Sequence, residues 1–303
     1  MKTIFYDTNI YYNFINLYNK NNTELNIQID DFCKKIISLE EKKGCQHATH
    51  ELVIKEILRQ HIFDGKSESC IQAIGSLYRW SKGEMKIIPP FEVELACCLP
   101  KEHGKTEYLH ASTAVTLYLQ EIISNVSAKD PNTDTNRDII SSIIASGTDE
   151  LKKETCAFSI KAKEDARQLN RKELEDEFVR DFMNCIRYAI ADNVVDDLSN
   201  HLDSVPFKPA IELLKQKSHD SYSSLRNAQS NYDVCCSQHP NIFIDALILA
   251  SACIPPKGEI RAVVTNDKAI LAQKKHINTA TTEILSFHEY LEFIDYPMEG
   301  IIN

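Results

Sequence analysis

Two apolar rhythms alternate along the chain. At both ends, short and nearly continuous apolar runs are separated by helix-length amphipathic stretches, the rhythm of an α/β fold; between them the pattern is helical throughout. The first run, in "KTIFYDTN", reads as a buried strand over residues 3–6 that stops at Asp7. A helix follows near 10–18, then the polar loop "NKNNTELN", then a helix through "IDDFCKKIISLEEKKG" ending at Gly44. "HATHELVIKEILRQHIF" reads as one more helix, with Thr49 as its N-cap and acid in its first turn. A further helix is predicted at about 69–80, then a strand at "MKIIPP" stopped by its two prolines, then a helix at "FEVELACCL".

From about Pro100 the strands disappear. The loop "SAKDPNTDTNRD" (127–138) and the break "DSVPFKPA" (203–210) interrupt a helical stretch in which Leu174, Phe178, Phe182, Cys185 and Ile186 recur at helical spacing and so face a core. The α/β rhythm returns near 236 with a helix at "IFIDALILASAC", a turn at "IPPKGE" and a strand at "IRAVVT". The last elements are a strand near "INTAT" and a helix over "TEILSFHEYLEFI". The expected organisation is one α/β domain built from 1–99 and 236–303, with a central, mostly parallel sheet, interrupted by an all-helical insertion at 100–235.

Composition narrows the classes. With 43% hydrophobic and 26% charged residues, the 303-residue chain can bury a sizeable core. No apolar run approaches the roughly 20 residues of a membrane span, and the N-terminus is too polar for a signal peptide, so a cytoplasmic protein with no membrane partner is expected. The ten cysteines include no C-x-x-C pair, which argues against zinc fingers and redox motifs. A net charge of −10 argues against broad wrapping of nucleic acid, but leaves room for an enzyme that concentrates acid at a metal site and grips phosphate locally.

Four acids stand at the edges of these elements. Asp7 and Asp267 each follow a strand, and the carboxyl ends of parallel strands form a common rim where ligands sit. Asp245 is the lone carboxylate in "NIFIDALILASACI"; a buried ionised carboxylate costs several kcal/mol unless a helix terminus, a basic partner or a metal compensates it. Glu56 lies beside an apolar helical face. Converging, the four would form a hard-oxygen cluster suited to Mg²⁺ or Mn²⁺. Taken singly each has an ordinary alternative: a turn for Asp7, a cap for Asp245, an Asx-turn for Asp267, and a surface pair with Lys55 or Arg59 for Glu56.

The ordered set "IFYDTN", a glutamate after "HATHELVIK", "IFIDALILASA" and "AVVTNDKAI" resembles the PIN domain family of metal-dependent nucleases. The resemblance covers roughly 1–60, 85–98 and 240–295. It implies a three-layer fold and a site of Asp7, Glu56, Asp245 and Asp267, with Glu51 as the competing glutamate and Thr265 in the family's Ser/Thr slot. The chain departs from a compact PIN domain in the long separation of Glu56 from Asp245. The resemblance implies phosphodiester hydrolysis of RNA or DNA with Mg²⁺ or Mn²⁺, with Asp7 and Asp245 as inner ligands and Glu56 and Asp267 completing the shell. Asn9 and Thr265 would orient ligands or the scissile phosphate, and Arg59, Lys268, Lys274 and Lys275 are candidates for the nucleic-acid backbone.

Stand-alone PIN proteins are often toxin-like ribonucleases, which implies growth control or antiphage defence as a setting. The insertion is left as a lid, a substrate selector, or a surface for self-association or an inhibitory or activating protein. Two rival readings stay open: a PIN-like scaffold that binds nucleic acid or protein without cleaving, and a carboxylate-metal phosphatase, although "YDTN" lacks the Asp-x-Asp nucleophile pattern. "DGKSES" and "HGKTEY" lack the first glycine of a phosphate loop, and "HATHE" lacks the His-Glu-x-x-His spacing of zinc proteases.

Overall fold

The N-terminal apolar run forms β1 (Lys2–Tyr6), in which Ile4, Phe5 and Tyr6 are fully buried. The protein is described by a computed structural model over residues 1–17, 23–64, 86–89, 148–189, 208–231 and 241–297, with Leu77, Phe91, Glu94, Leu95 and Val234. A strand apolar on both faces has to be covered on both, the usual condition of a parallel sheet. β1 pairs in parallel with β2 (Cys45–His50) on one side and β4 (Ile260–Val264) on the other. β3 (Lys86–Ile88) extends the sheet beyond β2, and β5 (Thr282–Leu285) extends it beyond β4. The order is β3-β2-β1-β4-β5 with every pairing parallel, so the expected α/β class is the observed one.

Nine helices accompany this sheet among the described residues: α1 (Thr8–Leu17), α2 (Thr23–Lys42), α3 (Glu51–Asp64), α4 (Thr148–Gln168), α5 (Arg171–Ala189), α6 (Lys208–Asn227), α7 (Asn241–Cys253), α8 (Lys268–Leu271) and α9 (Phe287–Phe293). Alternate residues of β1 show how the layers are arranged. The Tyr6 ring meets Tyr11 of α1 and Tyr290 of α9, and its hydroxyl donates to Tyr290, which donates in turn to Glu40 of α2 at 2.6 Å. Phe5 points the other way, onto His50, whose Nε2 bonds Ser251 of α7 at 3.0 Å. The sheet is thus covered by α1, α2 and α9 on one face and by α7 on the other.

The apolar character of α7 all round follows from its position between two cores. Ile248 and Ala252 pack with the sheet, while Ile242, Phe243, Ala246, Leu247 and Ala250 pack with α4, α5 and α6. The stripe predicted on 174–186 is in this second core: Leu174, Phe178, Phe182 and Ile186 are buried, and Phe182 stacks on Phe91 with ring centroids 5.6 Å apart. Among the described residues no helix is long and apolar enough to cross a membrane.

Three local expectations are corrected. Thr49 is not an N-cap; it lies inside β2, and α3 begins at Glu51. "INTAT" is turn rather than strand, and "TEIL" is β5 rather than the start of a helix. The last helix begins at Phe287, where Ser286 and Glu289 form a capping box that satisfies two backbone donors reciprocally. The expected stop at Gly44 holds: this glycine takes φ 66°, and its N–H donates to Glu41 O. The predicted 69–80 helix except Leu77 lies outside the described residues. So do most of "FEVELACCL", Trp80, both Gly-Lys-Ser/Thr strings, the 127–138 loop and the break before Lys208.

Candidate functional site

Strand register builds the site. Tyr6 pairs with Val264, so the next residues, Asp7 and Thr265, emerge side by side at the carboxyl ends of β1 and β4. The ladder continues through them: Asp7 N–H donates to Val264 O, and Thr265 N–H donates to Leu285 O, both at 2.9 Å. From β1 the sheet grows through β2 and β3 on one side and through β4 and β5 on the other, which makes the boundary between β1 and β4 its switch point. Crevices at switch points of open parallel sheets are where ligands bind.

Asp7 is 3% exposed and its carboxylate is fixed from several directions. Oδ1 accepts from Thr8 N at 2.7 Å; Oδ2 accepts from the Thr265 hydroxyl at 2.7 Å and also from Asn9 Nδ2. Asn9 then bridges the two rim loops, since its Oδ1 accepts from Asn266 N at 3.2 Å. Thr265 Oγ1 accepts in turn from Asp267 N at 2.9 Å. Thr8 donates its hydroxyl to Glu56 Oε2 at 2.6 Å and so ties Glu56 to the residue after Asp7. Glu51, the competing glutamate, forms an ion pair with Lys55 at 3.0 Å, and it is Glu56 whose charge bears on Asp7.

Asp245 is the fifth residue of α7, one turn inside the helix, and 5% exposed. Asp267 caps α8: its Oδ1 accepts from Ala269 N at 2.6 Å and Ile270 N at 3.3 Å. Between these two acids lies a residue the sequence reading missed. Lys217 of α6 donates its ammonium to Asp245 Oδ2 and to Asp267 Oδ2, the latter at 2.7 Å. The stretch read as a helical insertion thus contributes a side chain to this group of acids. A signal was available: Lys217 falls four residues after Leu213 and three after Leu214, on the buried face of its helix.

Electrostatics follow from this arrangement. Burial pushes the Asp7 carboxyl well above the ordinary range, and the charges of Asp245 and Glu56 push it further; the Thr265 hydrogen bond and Lys217 pull back without cancelling them. For Asp267 burial also acts upward, but Lys217 and the two capping N–H groups outweigh it and hold the carboxyl below its usual value. Burial disfavours the Lys217 ammonium, yet Asp245 and Asp267 more than compensate, so it keeps its proton. The site is thus neutralised on the Asp267 side and carries excess negative charge around Asp7.

The donors are all carboxylate oxygens with neighbouring hydroxyls, the chemistry that hard divalent cations select, and the charge excess at Asp7 is what such an ion would relieve. Among the described residues, however, the oxygens of these acids do not gather in threes within 4.8 Å of one another, so an ion would have to draw them together. Among the candidate phosphate contacts, Lys268 is exposed beside Asp267, whereas Lys274 is engaged by both carboxylate oxygens of Glu289. Lys275 is exposed, and the Arg59 side chain lies outside the described residues.

A second acid group stands apart from this rim. Asp165, Glu177 and Asp181 bring one oxygen each within 4.8 Å of one another, but the Lys161 ammonium already donates to all three at 2.7–3.0 Å. No known family model, characterised protein or solved structure matches the chain.

Proposed function

We propose that the protein is a divalent-metal-dependent nuclease that hydrolyses phosphodiester bonds of RNA or DNA, with a PIN-type site. The observation that carries this reading is the charge repulsion of Asp7 by Asp245 and Glu56, all three buried near the switch point of a parallel sheet. These three carboxylates would hold Mg²⁺ or Mn²⁺, with Asp267 at the edge of the group. When bound, such an ion makes a hydroxide-like nucleophile available near neutral pH and stabilises charge on the leaving oxygen.

The chain's own residues prepare that site. Thr265 and Asn9 orient the Asp7 carboxylate, and Thr8 orients Glu56. Burial of the rim keeps bulk water from screening these charges. Exposed Lys268 offers a contact for substrate phosphate, and nucleic acid is the proposed partner.

The test is incubation of the purified full chain with end-labelled RNA and DNA, with Mn²⁺ or with EDTA, followed by mapping of the ends. Cleavage that needs Mn²⁺ and disappears in Asp7→Asn and Asp245→Asn is expected. Cleavage retained by the double variant would sink the reading, and turnover of a simple phosphomonoester alone would point to a phosphatase instead.

A further inference from the structure

We propose that the cavity between α5, α6 and the 3₁₀ turn that follows α8 (Ala272–His276) is a second ligand site, which takes one nucleotide unit, a base with its phosphate. The choice of a nucleotide rests on the nuclease reading above, whereas the need for a ligand there comes from the cavity itself.

The cavity has a volume of about 330 Å³, at the lower end of the range for small-molecule sites. One of its polar walls is incomplete. Gln273 is 3% exposed, and its neighbours fix the orientation of its amide. Nε2 donates to Gln216 Oε1 and to Ala269 O, both at 3.1 Å, so the remaining atom is the carbonyl oxygen. That oxygen is buried and accepts no hydrogen bond. A buried acceptor without a donor is destabilising, and a ligand N–H would relieve it. Gln216 is exposed and has no other side-chain hydrogen bond among the described residues, so it can swing aside to admit that donor.

The charges around the cavity call for an anionic group beside that donor. His219 Nε2 accepts from Arg171, so its Nδ1–H donates to Glu175 at 2.8 Å, and Lys215 pairs with Glu212 at 2.9 Å. Both acids of the wall are therefore matched within it. Burial acts upward on the Glu212 carboxyl, yet Lys215, His276 and Lys208 outweigh it and hold the group below its usual range. Lys275 and His276 line the cavity with no side-chain hydrogen bond or ion pair of their own among the described residues. Their donors suit a phosphate oxygen, and the imidazoles of His219 and His276 are rings on which a base can stack. The edge of such a base supplies the N–H that Gln273 lacks. The cavity also adjoins the rim: α6 carries Lys217 next to Gln216, and the 3₁₀ turn continues α8, which Asp267 caps.

The experiment is calorimetric titration of the full chain in EDTA, so that binding is read apart from cleavage. The probes are the nucleoside 5′-monophosphates, adenosine, ribose 5-phosphate and a single-stranded pentanucleotide. One nucleotide per chain is expected, with adenosine and ribose 5-phosphate each weaker by about tenfold or more. Lys275→Ala, His276→Ala and Gln273→Met should each weaken the nucleotide by about threefold to tenfold, whereas Lys34→Ala on α2 should leave it unchanged. A wild type that binds no nucleotide at millimolar concentration overturns the proposal. So does wild-type affinity in both Lys275→Ala and His276→Ala, an equal loss in Lys34→Ala, or adenosine or ribose 5-phosphate that binds as tightly as the nucleotide. If Gln273→Met does not fold, the other two variants decide it. A pentanucleotide that displaces the nucleotide identifies the substrate strand as its source; one that leaves it bound identifies a free nucleotide, and either result upholds the site. Mn²⁺-dependent cleavage by a chain that binds no nucleotide in EDTA strikes down this inference alone, and nucleotide binding without cleavage strikes down the nuclease reading alone.

Discussion

Lys161 and Lys217 each place an ammonium among carboxylates, in two very different settings. Lys161 bridges Asp165, Glu177 and Asp181 on the outer side of α4 and α5, and its side chain is 44% exposed. Water and salt screen that group, so the lysine and its acids form a network that needs nothing further. The side chain of Lys217 is 15% exposed, and the carboxylates near it extend past its reach to Asp7 and Glu56. The contact is alike in both places; what differs is the burial and the negative charge left over. Among the described residues, acid oxygens crowd most closely at Lys161, whereas unbalanced buried charge is found at the rim of the sheet.

The strongest way to break this comparison is at Asp7. Asp7→Asn should lower Mn²⁺-dependent cleavage by on the order of a thousandfold or more, about 4 kcal/mol in the barrier, while Asp181→Asn should leave it unchanged; single-turnover rates on the same substrate decide it. Next comes stability in EDTA, read by urea unfolding. Lys217→Met strands buried carboxylates and should cost about 3–5 kcal/mol, whereas Lys161→Met should cost about 1 kcal/mol or less. Equal losses would remove the distinction between the two lysines.

A smaller effect sharpens the rim itself. Thr265→Ala removes the hydroxyl that holds Asp7 and should weaken Mn²⁺ binding about 10–100-fold, measured by calorimetry.

The pH dependence of stability carries a separate signature from His50, on the opposite face of the sheet from Tyr6. Burial, then Arg261 and Lys55, push its pKa down from 6.5 to about 3. Leu52 N–H donates to Nδ1 at 3.1 Å, so Nδ1 must be the unprotonated nitrogen and Nε2–H faces Ser251. The unfolded chain takes up this proton near its ordinary pKa and the folded one does not. The stabilisation is therefore complete above about pH 6.5 and is lost as the pH falls toward about 3, with a slope of up to about 1.4 kcal/mol per pH unit. Urea titrations from pH 7 to 4 on wild type and His50→Gln should differ by that slope, and the Lys217 comparison is cleanest at pH 7, above it.

How much of this could be read in the sequence depends on how each residue is buried. β1, β4 and α7 were legible because a parallel sheet covered on both faces selects continuous apolar runs. β2 was hidden by its polar composition. In "CQHATH" the inward polar groups are satisfied by partners distant in sequence: Thr49 Oγ1 bonds Tyr11 at 3.1 Å, and His50 bonds Ser251. Hydropathy has no means of registering such pairs. β5 was lost because "TEIL" runs without a gap into the period of α9, although the Ser-x-x-Glu box at Ser286 marked the true start. Asp7 and Asp267 were legible from their places after strands, where the structure also has them. Lys217 was not, because its meaning lies in Asp245, on another helix. The puzzle of Asp245 had three candidate answers, and the structure supplies the basic partner among them.

The strand order also has a consequence for the order of folding. β1 lies at the centre of the sheet, and its pairing with β4 joins residues about 260 positions apart. Such distant pairing is slow to form, because a long loop must close before any contact stabilises it. As the chain emerges from the ribosome, Asp7 and Glu56 are made early, while Lys217, Asp245 and Asp267 follow only after a long interval. The half-built sheet has an open β1 edge and an incomplete group of rim acids throughout that time. A nascent or truncated chain that ends before β4 therefore lacks Thr265 and Asp267, and with them the hydrogen bonds that hold Asp7 at the rim.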